Sequence, residues 1–180
     1  MDEFLGSNAS SESIRVWVTA IKEIRRRHPD KILAFWTDSG LGRIREHGNA
    51  HESLLTTIRD YADFIMPEIY FAEKAASDFK TNPKAFWAFR EKVEEWEQQA
   101  PGITPKILMG LGAVQNADWG YDTLPDIDYG EFLSKQIEFC ATDPVLQQMG
   151  GLALYAPGYL KPHTLDKVND AIIKHYRLHE

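Results

Sequence analysis

Cysteine is nearly absent from this sequence, with Cys140 as its single example. One cysteine excludes an intrachain disulfide and a metal site built from several thiolates, and it leaves the compartment undetermined. The chain also has no apolar run near the roughly 20 residues that a transmembrane helix needs. Its first 13 residues are polar and serine-rich, without the apolar core of a signal peptide. We therefore expect a soluble protein that does not bind membranes.

Basic residues are outnumbered, with 20 Lys and Arg against 27 Asp and Glu and a formal net charge of -7. This balance excludes a general electrostatic attraction to nucleic acid or anionic lipid and favours a neutral or cationic small molecule. Only His47 and His51 have a spacing typical of metal ligands, and no third ligand is near them. Gly110-Leu-Gly112 lacks the third glycine of a dinucleotide-binding loop. The sequence thus predicts neither a metal nor a cofactor.

Short apolar runs alternate with stretches of helical periodicity, and this predicts an α/β fold with buried parallel strands. The length of the chain predicts a single domain over residues 1–180. In the first helix, Val16, Ala20, Ile21 and Ile24 form the expected buried stripe. The predicted strands are 32–37, 64–71, 106–113 and 151–156, and the predicted helices begin near 10–13, 51, 83, 129 and 165 and end before Pro29, near 62, before Pro101, near 141 and near 178.

Four strand ends carry polar or aromatic residues: Ala34-Phe-Trp-Thr-Asp38, Ile65-Met-Pro-Glu-Ile-Tyr70, Ile107 to Ala113 and Leu152 to Pro157. Asp2-Glu3-Phe4 is similar to the end of a preceding strand. On these residues the chain resembles the second half, strands four to eight, of a (β/α)₈ (TIM) barrel of the glycoside hydrolase type. Its motifs match no single family of that type.

The resemblance implies a pair of carboxyl groups at the carboxyl ends of the strands, which glycosidic cleavage requires. Glu68 is the first candidate, because burial in its apolar run would raise its pKa towards that of a general acid. The alternative is a Glu68 paired with Arg or Lys. Glu3 and Asp2 are the candidate partners, and the alternative for them is a frayed chain end.

Aromatic and polar residues after the strands are the candidates for binding a saccharide, because sugars present apolar faces ringed by hydroxyl groups. The alternatives are that Asp38 is a turn residue and that the aromatic rings fill the end of the barrel. The predicted substrate-binding residues are Trp36, Asp38, Tyr70, Gln115, Asn116, Trp119 and Tyr155.

The leading hypothesis is therefore a carbohydrate-active glycoside hydrolase, or a fragment of one, acting through Glu68 with Glu3 or Asp2. The alternative is a half-barrel without catalytic activity that binds a saccharide, or an inactive fragment. A third hypothesis is a self-standing α/β domain of the flavodoxin type. Since half of a closed sheet exposes two strand edges, self-association is also expected.

Overall fold

The computed structural model describes residues 10–37, 49–69, 84–115 and 128–176. Helices and strands alternate along these ranges, which confirms the predicted α/β pattern. The last helix begins at Pro162 and not near Leu165, because proline is well suited to the first helical position. The elements are α1 Ser11–Arg27, β1 Ala34–Thr37, α2 Asn49–Tyr61, β2 Phe64–Ile69, α3 Lys84–Gln99, β3 Leu108–Gly112, α4 Tyr129–Thr142, β4 Gly151–Tyr155 and α5 Pro162–His175.

The predicted half of a (β/α)₈ barrel is wrong. Within the described ranges the strands follow the order β1-β2-β3-β4 as two parallel pairs, β1 with β2 and β3 with β4. A single isolated bridge, Ile65 to Ile107, stands between β2 and β3 in place of a continuous ladder. Closing a barrel requires tilt and stagger across every neighbouring pair of strands, and a βα repeat does not encode these properties. The predicted strand end Asp2-Glu3-Phe4 lies outside the described residues.

Helix α1 begins and ends where the sequence predicts. The side chain of Ser10 accepts a hydrogen bond from the backbone N–H of Ser13 at 3.1 Å, and the last turn contains three arginines. The predicted buried stripe is only partly correct, because Val16 is 62% exposed while Ile14 and Ile21 are fully buried. Ile14 and Ile21 are two turns apart and therefore share the face of α1 that enters the core.

The chain divides into two compact units. Unit one comprises Met1–Ile69, Lys92–Met109 and Met149–Gly151, and unit two comprises Tyr70–Glu91, Gly110–Gln148 and Leu152–Glu180. Each unit has its own set of buried apolar side chains. Those of unit one include Ile14, Ile21, Leu54, Leu55, Ile58, Ile65, Val93, Trp96 and Ile107, and those of unit two include Phe89, Leu111, Val114, Phe132, Leu133, Ile137 and Val168.

In unit one, Arg25 and Asp63 set the beginning of the β1–β2 pair, in which Ala34 lies opposite Phe64. Asp63 Oδ2 accepts hydrogen bonds from Leu33 N at 2.7 Å and from the Arg25 guanidinium at 2.5 Å. The backbone N–H of Leu33 and then the Arg25 guanidinium lower the pKa of Asp63. Arg25 also donates to the backbone carbonyls of Tyr61, Pro29 and Lys31.

Glu97, in the part of α3 that belongs to unit one, holds the turn that leads towards β3. Its carboxylate accepts hydrogen bonds from Gly102 N at 2.6 Å, Thr104 N at 3.0 Å and Thr104 Oγ1 at 2.6 Å. Gly102 has a φ of +90°, a conformation that favours glycine. Burial raises the pKa of Glu97, but the hydrogen bonds from Thr104 and Gly102 outweigh it, so the net pKa is lowered.

Replacing Arg25 by Lys should lower the free energy of unfolding by about 1–3 kcal/mol, because one ammonium cannot bond Asp63 and three separate carbonyls together. Urea unfolding followed by circular dichroism measures the change. Arg27→Lys is the matched control, since Arg27 is an exposed residue of the same helix that pairs with Glu23, and it should cost about 0–0.5 kcal/mol. Equal unfolding midpoints for the two variants would contradict the role of Arg25.

Replacing Glu97 by Gln should lower the free energy of unfolding at pH 7 by about 1–2 kcal/mol. The folded-state pKa of Glu97 is lowered, so its contribution is present above the pKa of the unfolded chain and is lost as the pH falls through the folded pKa. The difference between the wild type and Glu97→Gln should therefore shrink below about pH 4. Urea unfolding between pH 3 and 7 tests this, with the exposed Glu91→Gln on the same helix as the control. A difference that does not depend on pH would refute the prediction.

Candidate functional site

The structure describes part of the predicted site. Glu68 is the fifth residue of β2, so its backbone is at the carboxyl end of a parallel strand, but its side chain is outside the described residues. Trp36, Gln115 and Tyr155 are described with their side chains. The predicted site residues outside the described ranges are Asp2, Glu3, Asp38, Tyr70, Asn116 and Trp119.

Trp36 and Glu68 belong to unit one, whereas Gln115 and Tyr155 belong to unit two. Trp36 is half-buried in β1 and lies opposite Met66 of β2. The two predicted residues of unit two that the structure describes follow or end neighbouring strands: Gln115 comes after β3, and Tyr155 is the last residue of β4.

After β3 the chain continues beside the end of β4. Ala113 donates its backbone N–H to the carbonyl of Tyr155 at 2.9 Å. The segment from Ala113 to Gln115 is buried, and Gln115 is only 4% exposed. This hydrogen bond joins the segment after β3 to the last residue of β4, and it therefore fixes the point at which the chain leaves β4.

The turn after β4 exposes two tyrosine rings. Ala156 adopts the left-handed conformation, with φ 53° and ψ 47°, and a short 3₁₀ turn, Pro157–Tyr159, follows it. Tyr155 is 38% exposed and Tyr159 is 54% exposed. A β-carbon added to Gly158, between them, would meet no atom within 4 Å, so open space lies beside the turn. We call Gln115, Tyr155 and Tyr159 the tyrosine site.

The left-handed conformation of Ala156 is unfavourable for a residue with a side chain, at a cost of about 1–2 kcal/mol. The residue before a proline also normally adopts an extended conformation. The turn is nevertheless closed by hydrogen bonds from Tyr159 N to the carbonyl of Ala156 and from Leu160 N to the carbonyl of Pro157, both at 3.1 Å. Strained backbone of this kind is concentrated at functional sites, which makes this turn the strongest candidate in unit two.

Gln115 connects the tyrosine site to helix α5. Its Oε1 accepts a hydrogen bond from the backbone N–H of Lys161 at 3.1 Å, across 46 positions of sequence. Lys161 is the residue that begins α5, and its carbonyl accepts hydrogen bonds from Thr164 N and Leu165 N. Gln115 thus has a structural role in positioning α5. Direct contact between Gln115 and a substrate stays a prediction.

A groove of about 340 Å³ also lies in unit two, along α4 and α5, and it has a different character. Asp128 caps α4 by accepting a hydrogen bond from Glu131 N and pairs with Lys167 at 2.5 Å, and the hydrogen bond from Lys167 lowers its pKa. The described residues that line the groove carry charges of both signs and include no Tyr, Trp or Phe, so they offer no platform for a sugar. They are Glu131, Ser134, Lys135, Glu138, Lys167, Asp170, Ala171, Lys174 and His175.

The described residues offer little support for other chemistries. They contain no group of three or more His, Cys, Asp or Glu side chains able to hold a metal ion. Burial of Cys140 raises the pKa of its thiol, which keeps the sulfur protonated and unsuited to nucleophilic attack. None of the helices in the described ranges combines the length and apolar character needed to cross a membrane.

Thr164 is a residue that sequence reasoning does not select. It is in the first turn of α5 and is 1% exposed, and its Oγ1 has no hydrogen-bond partner among the described residues. A helix start at Pro162, instead of the predicted start near Leu165, would have placed Thr164 in the first turn. The missing partner of its hydroxyl group has no signature in the sequence.

Comparison with family models, with curated proteins and with solved structures finds no match for this chain. The resemblance to glycoside hydrolases therefore stays a prediction.

Proposed function

We propose that this chain binds a saccharide at the tyrosine site. The observation that carries the proposal is the pair of exposed rings, Tyr155 and Tyr159, held on either side of a strained turn at the carboxyl end of β4. In parallel α/β folds, ligands bind outside the carboxyl ends of the strands.

The chemistry of tyrosine suits this ligand. A sugar ring has an apolar face of C–H groups, which packs on an aromatic ring, and a rim of hydroxyl groups, which a phenol can bond as donor or acceptor. Tyrosine also has few rotatable bonds, so ordering it on binding costs little conformational entropy. The net charge of -7 is compatible with a ligand whose sugar rings are uncharged.

Replacing Tyr159 by Ala should weaken saccharide binding about 5- to 10-fold, because it removes one stacking surface. Tyr155→Ala should act in the same direction. Isothermal titration calorimetry with a panel of oligosaccharides, on the full chain, measures the change. Tyr159→Phe keeps the ring and should bind within about 3-fold of the wild type.

The matched control is Tyr61→Ala, since Tyr61 is a tyrosine of unit one that is 37% exposed and lies outside the tyrosine site. It should leave binding unchanged. Equal losses in Tyr61→Ala and Tyr159→Ala would contradict a site at β4, and wild-type protein that binds no member of the panel would contradict the proposal itself.

Glycoside hydrolysis is the second candidate function, and the position of Glu68 favours it. Glu68 follows Pro67, which pairs with Thr37, near the carboxyl end of a parallel strand. Burial of a carboxyl group in apolar surroundings raises its pKa towards the range that suits a general acid, which is the role that the sequence predicts for Glu68. Glycosidic cleavage also needs a second carboxyl group. The predicted partners Asp2 and Glu3 lie outside the described residues, and their pairing with Glu68 stays a prediction.

Replacing Glu68 by Gln should lower kcat/KM for an aryl glycoside by about 100-fold or more, since the amide cannot supply the proton that the leaving oxygen needs. Initial rates with a panel of aryl glycosides test this on the full chain, and Glu91→Gln serves as the control. Unchanged rates in Glu68→Gln would remove this residue from the chemistry. Saccharide binding without any turnover by the wild type would leave the binding function alone.

A further inference from the structure

Among the described residues, Ala156 is the single residue other than glycine with a positive φ. This left-handed conformation is unfavourable for a residue with a side chain, and a following proline normally favours extended backbone. Ala156 is half-buried, while Pro157 and Gly158 are exposed, so packing in the core does not impose the conformation. The hydrogen bonds on either side of Ala156 therefore have to account for it.

The chain around Ala156 is anchored on both sides to one short segment, Ala113 to Gln115. Before the turn, the carbonyl of Tyr155 accepts a hydrogen bond from the backbone N–H of Ala113 at 2.9 Å. After the turn, the backbone N–H of Lys161 donates to Gln115 Oε1 at 3.1 Å. Ala113 and Gln115 are both buried, which limits competition from water for these two hydrogen bonds.

Between the anchors, the turn after Ala156 has a shape of its own. The backbone N–H groups of Tyr159 and Leu160 donate to the carbonyls of Ala156 and Pro157, both at 3.1 Å. Hydrogen bonds of this kind are set by the dihedral angles of the two residues between acceptor and donor. The ring of Pro157 also fixes its own φ. Tyr159 therefore belongs to a turn of fixed shape, whereas Tyr155 belongs to β4.

Ala156 connects these two parts. Its φ and ψ determine how the turn that carries Tyr159 is oriented relative to the end of β4. Extended backbone, with φ about −140° and ψ about +135°, differs from Ala156 by roughly 90° or more in both angles. Such a rotation would carry the turn away from the position in which Lys161 bonds Gln115. The anchor at Gln115 and the left-handed conformation of Ala156 thus depend on each other.

We infer that Ala156 is a positioning residue of the tyrosine site, and that its left-handed backbone sets Tyr159 relative to Tyr155. The inference rests on the proposed function and states how the site is regulated: saccharide binding requires the left-handed state at position 156, and extended backbone there abolishes the site. This role belongs to the backbone of Ala156, so its methyl group does not have to contact the ligand.

Two substitutions of similar size separate the backbone of Ala156 from its side chain. Asparagine adopts left-handed backbone more readily than most residues, whereas β-branched valine resists it. Since Ala156 is half-buried, either side chain can extend towards solvent. By calorimetry on the full chain, Ala156→Val should bind oligosaccharides about 10-fold more weakly than the wild type. Ala156→Asn and Ala156→Gly should bind within about 3-fold of the wild type.

Amide hydrogen exchange without ligand, followed by NMR, reports on the anchor directly. The backbone N–H of Lys161 should exchange about 10-fold faster in Ala156→Val than in the wild type, because extended backbone separates it from Gln115. Ala156→Asn should keep the wild-type rate. The internal reference is the backbone N–H of Phe132, which donates to the carbonyl of Asp128 in α4 at 3.0 Å. Its rate should be equal in all variants, which shows that unit two stays folded.

The outcomes separate this inference from the proposed function. Saccharide affinity that is unchanged in Ala156→Val, or reduced equally in Ala156→Val and Ala156→Asn, would overturn the positioning role and leave the tyrosine site in place. An unchanged exchange rate of the Lys161 amide in Ala156→Val would also overturn it, because Ala156 would then not hold the anchor. Wild-type protein that binds no oligosaccharide would refute the proposed function, and with it the role of Ala156 in that site.

Discussion

Unit one depends on the carboxylate of Asp63. This carboxylate accepts a hydrogen bond from the backbone N–H of Leu33, and the backbone N–H of Asp63 donates to the carbonyl of Leu33 at 2.8 Å. The two segments that lead into β1 and β2 are therefore joined just before the strands begin to pair. These two hydrogen bonds between Leu33 and Asp63 place Ala34 opposite Phe64. A slip of one residue would turn every side chain of β1 to the opposite face, and the Arg25 guanidinium stabilises the charge on which the register depends.

In unit two, neutral side chains hold the ends of the strands. The Tyr129 hydroxyl group donates a hydrogen bond to the carbonyl of Gly112, the last residue of β3, at 2.6 Å. The side-chain oxygen of Gln115 accepts a hydrogen bond from the backbone N–H of Lys161. Tyr129 and Gln115 are both almost fully buried. A buried charge needs a partner and costs more to desolvate than a buried amide or phenol, so neutral side chains suit this place. Among the described residues, neutral side chains therefore make the hydrogen bonds that fix the carboxyl end of β3 and the segment after it.

The sequence predicted the helices and strands well because hydrophobic periodicity and capping residues act over a few positions, as at Ser10 and in the last turn of α1. The predictions were wrong where contacts between residues distant in the sequence determine the structure. Val16 fits a helical stripe but is exposed, whereas Ile14 and Ile21 are buried in a helix that packs against α2. The hydrogen bond between Gln115 and Lys161 joins positions that no local pattern relates. The half-barrel failed for the same reason, since closure of a sheet is a property of all its strands together.

The segment from Ala156 to Thr164 concentrates features that oppose stability. Glycine would fit the left-handed backbone at position 156 with less strain, and valine at position 164 would remove a buried hydroxyl group that has no partner among the described residues. A sequence optimised for stability alone would favour both replacements. Strained backbone is concentrated at functional sites, and here the strain at Ala156 occurs in the segment that carries Tyr159 and begins α5. The energetic cost of the turn and the exposed rings therefore occur in the same segment, and the proposal of a saccharide site rests on that coincidence.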